Sequence, residues 1–438
     1  MLVRLFGKNF RSFKGDFELS LVAADLKNKA DSNRGVIEVD IAGVAKPLRL
    51  LRTLAIYGPN ASGKSTIIEA ASSLRTMLIR SSREAEPGMG ISIYRPFLLD
   101  KQSAKASVVL GCDVVCESNL LHYELEFHGK KITSETLVRL DKAGPVKLIE
   151  RSGTDKIGGE LITRSKPNAL YVQDMQENVS VLSKLAHLGP AKGKESATPY
   201  YKAIINAIRP VDYSYAAGFQ PPMPTPHLER FAKEPKYREW IMEHLIRPSD
   251  LGIASATTSR KPTDVPELVR RFVSDQGSDY QFPDETIEVA FVHKGLNDKA
   301  IPFDDESAGT RKLFNVAQEW YELARSPVPV TFLADELSAS LHPRLLWQLI
   351  HTLNDMDPTR RSQLVFTTHD TGLLEGLNGE LPALRRDQVY FTKKDAEGAS
   401  TLYSLAEFKD EARGVHNLRK RYISGLYGAI PLLEEVAL

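Results

Sequence analysis

The chain has 438 residues, enough for two or three domains or for one large α/β domain carrying an insertion. Apolar residues make up 42% and charged residues 26%, with Lys+Arg 57 against Asp+Glu 56, so no bulk positive charge advertises nucleic acid, and only a local basic patch stays open. No apolar run reaches the roughly 18 residues of a transmembrane helix, and MLVRLFGKNF lacks the layout of a signal peptide, so the expectation is a cytoplasmic protein with no membrane partner.

The chain opens with two strand-like runs, VRLFG and FELSLVAA, joined by KNFRSFKGD. A third run, LRTLAIYG, leads into a glycine-containing loop, and STIIEAASSLRTMLIRSS then repeats its apolar residues at three and four, as a helix does. Residues 92–150 read as β-rich, with YRPFLL, SVVLGCDVV and LHYELEFHG separated by turn residues. The only cysteines, Cys112 and Cys116, lie in this Val-rich stretch; positions four apart share a strand face, and two small core residues in a reduced protein are expected. Residues 168–250 read as mainly helical, interrupted by the proline-dense FQPPMPTPH. TIEVAFV returns to strand, and PVPVTFLADE and SQLVFTTHD are two further strands, each with a helix-like segment behind it. A strand pair, DQVYFTKKD and STLYSLAEF, precedes a basic helix-like end. The expected layout is an α/β core interrupted by a mixed β and helical insertion. Its parts are 1–150 with the glycine loop and a β subdomain, 151–280 mainly helical, and 281–438 returning to the core.

GPNASGKST, Gly58 to Thr66, satisfies G-x-x-x-x-G-K-[ST] between an apolar strand and a helix. In that pattern the backbone N–H groups of Gly58, Asn60, Ala61, Ser62, Gly63, Lys64, Ser65 and Thr66 can curl around phosphate oxygens. The helix start adds its own N–H groups and positive dipole end. Lys64 would reach the β and γ phosphates, and the Ser65 hydroxyl would bind Mg²⁺. The bland alternative is a tight glycine turn with a surface lysine.

Such a loop needs a carboxylate delivered from a second strand. FLADELSASLHP offers Asp335, expected to reach Mg²⁺ through water, and Glu336, expected to orient the attacking water or take its proton. Read without the loop, Asp335 would be a helix cap. ESAGTRKLFNVAQEW places Ser307 to cap a helix and Gly309 to admit close backbone approach, which makes an anion site or an ordinary capped helix. SASLHP follows the acidic pair as an interface loop, or as a helix start at Pro343. His369 ends a core strand, where ligands of open α/β sheets collect, and can bond a γ phosphate.

Taken in order, GPNASGKST, ESAGT, FLADELSASLHP and FTTHD resemble the ABC-class ATPase heads of SMC proteins, RecF-like proteins and the overcoming-lysogeny-defect family. The opening VRLFGKNFRSFKGDFELSL, together with YRPFLL, PSDLGI, LRRDQVYFTKKDAEGASTLYSLAEF and KRYISGLYGAIPLL, is similar to AAA-type ATPases found beside effector genes in bacterial abortive-infection and anti-phage loci. The resemblance implies an ABC-type (SMC/RecF-like) P-loop ATPase head that binds ATP and Mg²⁺ and hydrolyses ATP. It implies that Arg11 contacts the nucleotide. Ser307 and Gly309 of one subunit would close on the γ phosphate held by another, giving a homodimer or a higher oligomer such as a hexamer.

No Gln-containing loop of the usual ABC kind stands out; Gln102 in LLDKQSAKA is a candidate or a solvated turn. No long coiled coil separates the halves, which argues against an SMC protein with arms. Beyond His369 the chain runs only from Asp370 to Leu438, too short for a C-terminal TOPRIM nuclease domain. A nuclease or toxin effector is therefore expected as a separate polypeptide, with a phage protein as trigger. The competing reading is a DNA-binding ATPase of replication or repair. For it HNLRKRYISGLYG supplies Arg419, Lys420 and Arg421 with Tyr422, which equally describe a solvated helix face. Lys393 and Lys394 are expected to face a partner or water.

Overall fold

The computed structural model describes residues 1–25, 33–84, 88–154, 156–190, 196–211, 226–262, 284–295, 299–377, 379–408 and 418–431, with 86, 193, 267 and 271. Two units divide the chain: 1–211 with 326–339 and 346–438, and 212–325 with 340–345.

In the first unit, β1 (Leu2–Phe10), β2 (Phe13–Ser20), β3 (Val36–Val39), β4 (Leu48–Leu51) and β5 (Thr53–Tyr57) precede the long helix α1 (Lys64–Glu84). Next come β6 (Val108–Cys116), β7 (Asn119–His128), β8 (Lys131–Asp141), β9 (Gly144–Ser152) and β10 (Lys156–Gly158). Short helices lead to β11 (Arg209–Val211). The unit resumes with β15 (Thr331–Ala334), β16 (Gln363–Thr367), β17 (Val389–Lys394) and β18 (Ser400–Ser404).

The first sheet has the order β11-β15-β16-β5-β17-β18. TLAIY, TFLA and QLVFT are buried at every position, the continuous apolar pattern of strands covered on both faces. β15, β16, β5 and β17 run parallel, with Leu333↔Val365, Val365↔Leu54 and Tyr57↔Phe391 in register. Their C-terminal ends therefore share one edge. α1 buries Ile67, Ala70, Ala71, Leu74, Met77 and Leu78 at helical spacing, and its first turn carries no acid to oppose an anion.

The second sheet is antiparallel, in the order β10-β9-β8-β7-β6-β1-β2. β7 alternates buried and half-buried residues, so one face packs on the core. Cys112 and Cys116 are buried and unbridged in β6, and burial pushes both thiols up.

The second unit holds the antiparallel strands β12 (Ile253–Pro262), β13 (Glu285–His293) and β14 (Ala300–Pro302) with the helices Pro226–Lys233, Pro235–Ile241 and Ala308–Arg325. Its core is aromatic: Phe231 and Phe314 lie edge-on at 5.0 Å, and Phe291 and Phe303 pack on Phe314 at 5.5 and 5.3 Å.

The expected α/β class with a P-loop between strand and helix is what the structure shows, with three local departures. YRPFLL is not a strand. The Asn9 amide, held at φ +53°, donates to Ser103 O and Ser107 O and accepts from Phe97 N, which fixes the segment as a loop beside β1. LRTLAIYG splits into β4 and β5 in different sheets, because the Arg52 guanidinium between them turns inward to bond Arg360 O and Asp357 O. FTTHD leads only into the short 3₁₀ turn Thr371–Leu374, capped by Asp370. Most of FQPPMPTPH lies outside the described residues, as do His416 and Asn417.

Candidate nucleotide site

Three parallel strands bring the site together at one sheet edge. β5 ends at Tyr57 and feeds the loop Gly58–Gly63, β15 ends at Ala334 beside Asp335 and Glu336, and β16 ends at Thr367 beside His369. This is the end of an open α/β sheet where ligands gather.

The loop is strained and braced as a phosphate cradle requires. Ala61 takes φ +58° and Gly63 φ +108°, conformations that turn successive N–H groups toward one point. A Cβ on Gly63 would stand 2.7 Å from Ser400 Oγ and 3.0 Å from Ser12 Oγ, so only glycine fits. Ser62 Oγ lies 2.6 Å from Thr392 Oγ1 on β17, and Ser12 Oγ lies 3.2 Å from Thr66 Oγ1. Asn60 and Ser65 are exposed.

Lys64 is buried, and its ammonium donates to Gly58 O at 3.0 Å and Pro59 O at 2.9 Å, folding back over its own loop. Burial lowers its pKa, partly opposed by Asp335 and Glu336. Burial, then Lys64, also lowers that of His369, against the pull of Glu336 and Asp335. Lys64, His369, Asp335 and Glu336 thus act on one another electrostatically.

The acidic pair is held by one hydroxyl. Thr367 Oγ1 donates to Asp335 Oδ1 and accepts from Glu336 N at 2.7 Å. Glu336 is exposed at φ +46°, a left-handed position that a glutamate occupies only under constraint.

A cavity of ≈ 570 Å³ opens on the loop, lined by Arg11, Lys64, Arg95 and Lys394 among others and by no acidic side chain. Arg11 sits at φ +51° in the β1–β2 turn and pairs with Glu69 of α1. Leu98 and Leu99, 75% and 72% exposed, form an apolar ledge in the same wall. Gln102 is an exposed turn residue and is not among the lining residues.

Ser307 and Gly309 belong to the second unit. Ser307 Oγ accepts from Thr310 N at 3.1 Å, capping the helix Ala308–Arg325. A Cβ on Gly309 would stand 3.0 Å from Ser340 O, so the turn packs directly on the Ser340 backbone. Glu306, just ahead of the turn, is buried against His293 Nε2 at 2.7 Å. His342 Nδ1 accepts from Arg344 N, and Pro343 opens the helix Pro343–Asn354.

Among the described residues no group of three or more His, Cys, Asp or Glu could cage a metal ion. The exposed Ser65 hydroxyl and the single carboxylate of Asp335 suit Mg²⁺, which keeps several waters and shares its shell with substrate phosphates.

Sequence reasoning missed Thr367, Thr392, Ser12 and Ser400. Each is a hydroxyl that matters only through a partner distant in sequence. FTTHD shows the threonine in the sequence, but nothing in it points at Asp335. In the C-terminal basic segment, Arg419 pairs with Glu375 at 2.7 Å and Tyr422 stacks on Phe391 at 5.3 Å, so these two side chains are already engaged.

Strand order, glycine loop, facing acidic pair and cationic cavity define a P-loop ATPase domain of mixed α/β fold. The profile of the family described as "AAA domain, putative AbiEii toxin, Type IV TA system" matches residues 54–158 and 205–375. These segments make up more than half of the chain, and the chain belongs to this AAA-domain family. No curated protein sequence matches it. Among solved structures, an SMC head bound to the C-winged helix domain of ScpA is 12% identical, covering 92% of this chain and 97% of that chain, with a TM-score of 0.43. The SMC head domain from Thermotoga maritima is 13% identical over 92% and 98%, TM-score 0.34. An Smc head with an extended coiled coil, bound to the C-terminal domain of ScpA derived from Pyrococcus furiosus, is 11% identical over 92% and 96%, TM-score 0.40. The likeness is distant. No helix among the described residues is long and apolar enough to cross a membrane.

Proposed function

We propose that the protein is an ATP-binding and hydrolysing switch of a bacterial anti-phage, abortive-infection system, of the kind represented by the ATPase subunit of the PARIS defence system. The observation that carries the ATPase part is the shared hydroxyl of Thr367, which fixes Asp335 and Glu336 at the strand edge beside the phosphate loop. The defence part rests on the family description and on the motif resemblance.

Gly58–Thr66 wraps the phosphates with backbone N–H groups. Lys64 leaves Gly58 O and Pro59 O for the β and γ phosphates. Ser65 and, by way of water, Asp335 would hold Mg²⁺, whose charge would neutralise the phosphoryl oxygens. Glu336 orients the attacking water and takes its proton, and a neutral His369 bonds the γ phosphate. Arg11 exchanges Glu69 for the nucleotide. Leu98 and Leu99 offer the base an apolar surface.

Ser307 and Gly309 act in trans, so that two nucleotides are buried between two copies and hydrolysis loosens the pair. The dimer, or a higher oligomer such as a hexamer, holds a separate TOPRIM-type nuclease or toxin and releases it when a phage protein is sensed.

The test is particle mass by light scattering. Glu336→Gln with ATP should double in mass or assemble further, whereas Lys64→Ala and Ser307→Arg should stay monomeric. A Glu336→Gln protein that binds ATP yet remains monomeric sinks the sandwich. Co-expression with the neighbouring gene should yield a copurifying partner. Duplex DNA that strongly stimulates hydrolysis would instead favour the replication or repair reading.

A further inference from the structure

Lys394 has no task in the mechanism above. β17 runs parallel to β5, with Tyr57↔Phe391 in register, and continues past it along the phosphate loop. Thr392 meets the loop through Ser62 Oγ at 2.6 Å. Residues two apart on a strand share a face, so Lys394 follows Thr392 on the loop side, and it lines the loop's cavity. Its neighbour Lys393 turns the other way, over the Tyr403 ring at 5.3 Å. Lys394 is exposed and forms no ion pair among the described residues.

Its place along the loop follows from the hairpin. Lys394 stands opposite Ser400 in the β17–β18 register. Ser400 Oγ approaches the Cβ position of Gly63 to 2.7 Å, and Ser400 N donates to Ser12 O at 2.7 Å. Ser12 Oγ in turn lies 3.2 Å from Thr66 Oγ1. The hairpin therefore grips the second half of the loop, Gly63–Thr66, where α1 begins. Ser400 Oγ is buried there with no hydrogen-bond partner among the described residues. Lys64 serves the β and γ phosphates in a loop of this pattern, while the loop's backbone N–H groups cradle the α and β phosphates.

We propose that Lys394 is a second phosphate-binding lysine, acting in cis on the α-phosphate end of the nucleotide. The inference rests on the nucleotide reading of Gly58–Thr66. It makes the β17–β18 hairpin a clamp that braces the loop through Thr392 and Ser400 and contacts the ligand through Lys394.

The test compares ATP and ADP affinities by calorimetry for the full chain, Lys394→Ala, Lys394→Arg and Lys64→Ala, with unchanged melting temperatures as the folding control. A charge-assisted contact to the α-phosphate predicts that Lys394→Ala weakens ATP and ADP by the same factor, about tenfold. Lys394→Arg should restore most of it, and the loss should shrink in high salt. Lys64→Ala should weaken ATP more than ADP. If Lys394→Ala binds both nucleotides as the full chain does while Lys64→Ala fails, the clamp is wrong and the phosphate loop stands. If Lys64→Ala also binds normally, the nucleotide reading itself is wrong.

Discussion

Thr367 Oγ1 donates a hydrogen bond of 2.5 Å to Asp335 Oδ1. The same oxygen accepts from Glu336 N, so one fully buried hydroxyl orients both members of the acidic pair. Thr367→Val keeps the shape and leaves Glu336 N–H without its partner, a loss of about 0.5–1.5 kcal/mol for one net hydrogen bond. Thr367→Ser should restore the bonds. Steady-state kinetics should show kcat falling at least tenfold in the valine variant with KM little changed, because the loss falls on orientation rather than on the phosphate loop.

On the proposed mechanism, His369 should set the acid limb of the pH profile. Burial and Lys64 hold its pKa below the usual 6.5, so the imidazole is neutral at pH 7 and protonates only as pH falls below that value. If the neutral ring is the active form, hydrolysis should be flat from about pH 8 to 6.5 and decline below. His369→Asn should be slower throughout and lose that part of the decline. The comparison of the two profiles separates the imidazole from the titration of the substrate.

The burial of His227 predicts that the second unit loses stability in acid. It is buried, with Nδ1 2.8 Å from Tyr237 Oη, and burial lowers its pKa from 6.5 to about 4. The unfolded chain therefore takes up the proton first as pH falls. Stability is complete above pH 6.5 and is lost progressively down to about pH 4, by about 3 kcal/mol. His227→Phe keeps a ring against Phe231 and Phe314 and should flatten that slope. Denaturant titrations at several pH values measure it.

The chemistry legible in the sequence is the chemistry carried by consecutive residues. Gly58–Thr66, Asp335–Glu336 and His369 each announce themselves within a few positions, and the buried runs TLAIY, TFLA and QLVFT place them at strand ends. What the sequence hides is the bracing of loops by distant strands. Thr367 to Asp335, Thr392 to Ser62 and Ser400 beside Gly63 each join a strand residue to a loop far away in sequence, and no local pattern encodes them. YRPFLL misleads for a different reason. Its aromatic and leucine content suits a strand, but bonds to Asn9 hold it as a loop, and its two leucines stay exposed beside the cavity.

The most direct measurement of the central claim is ATP turnover and ATP binding by Glu336→Gln. Loss of the proposed general base should cut turnover by about a hundredfold or more, while ATP affinity stays within a few-fold of the full chain because Gly58–Thr66 is untouched. Turnover equal to that of the full chain would contradict the assignment of Glu336 and, with it, the catalytic reading of the acidic pair.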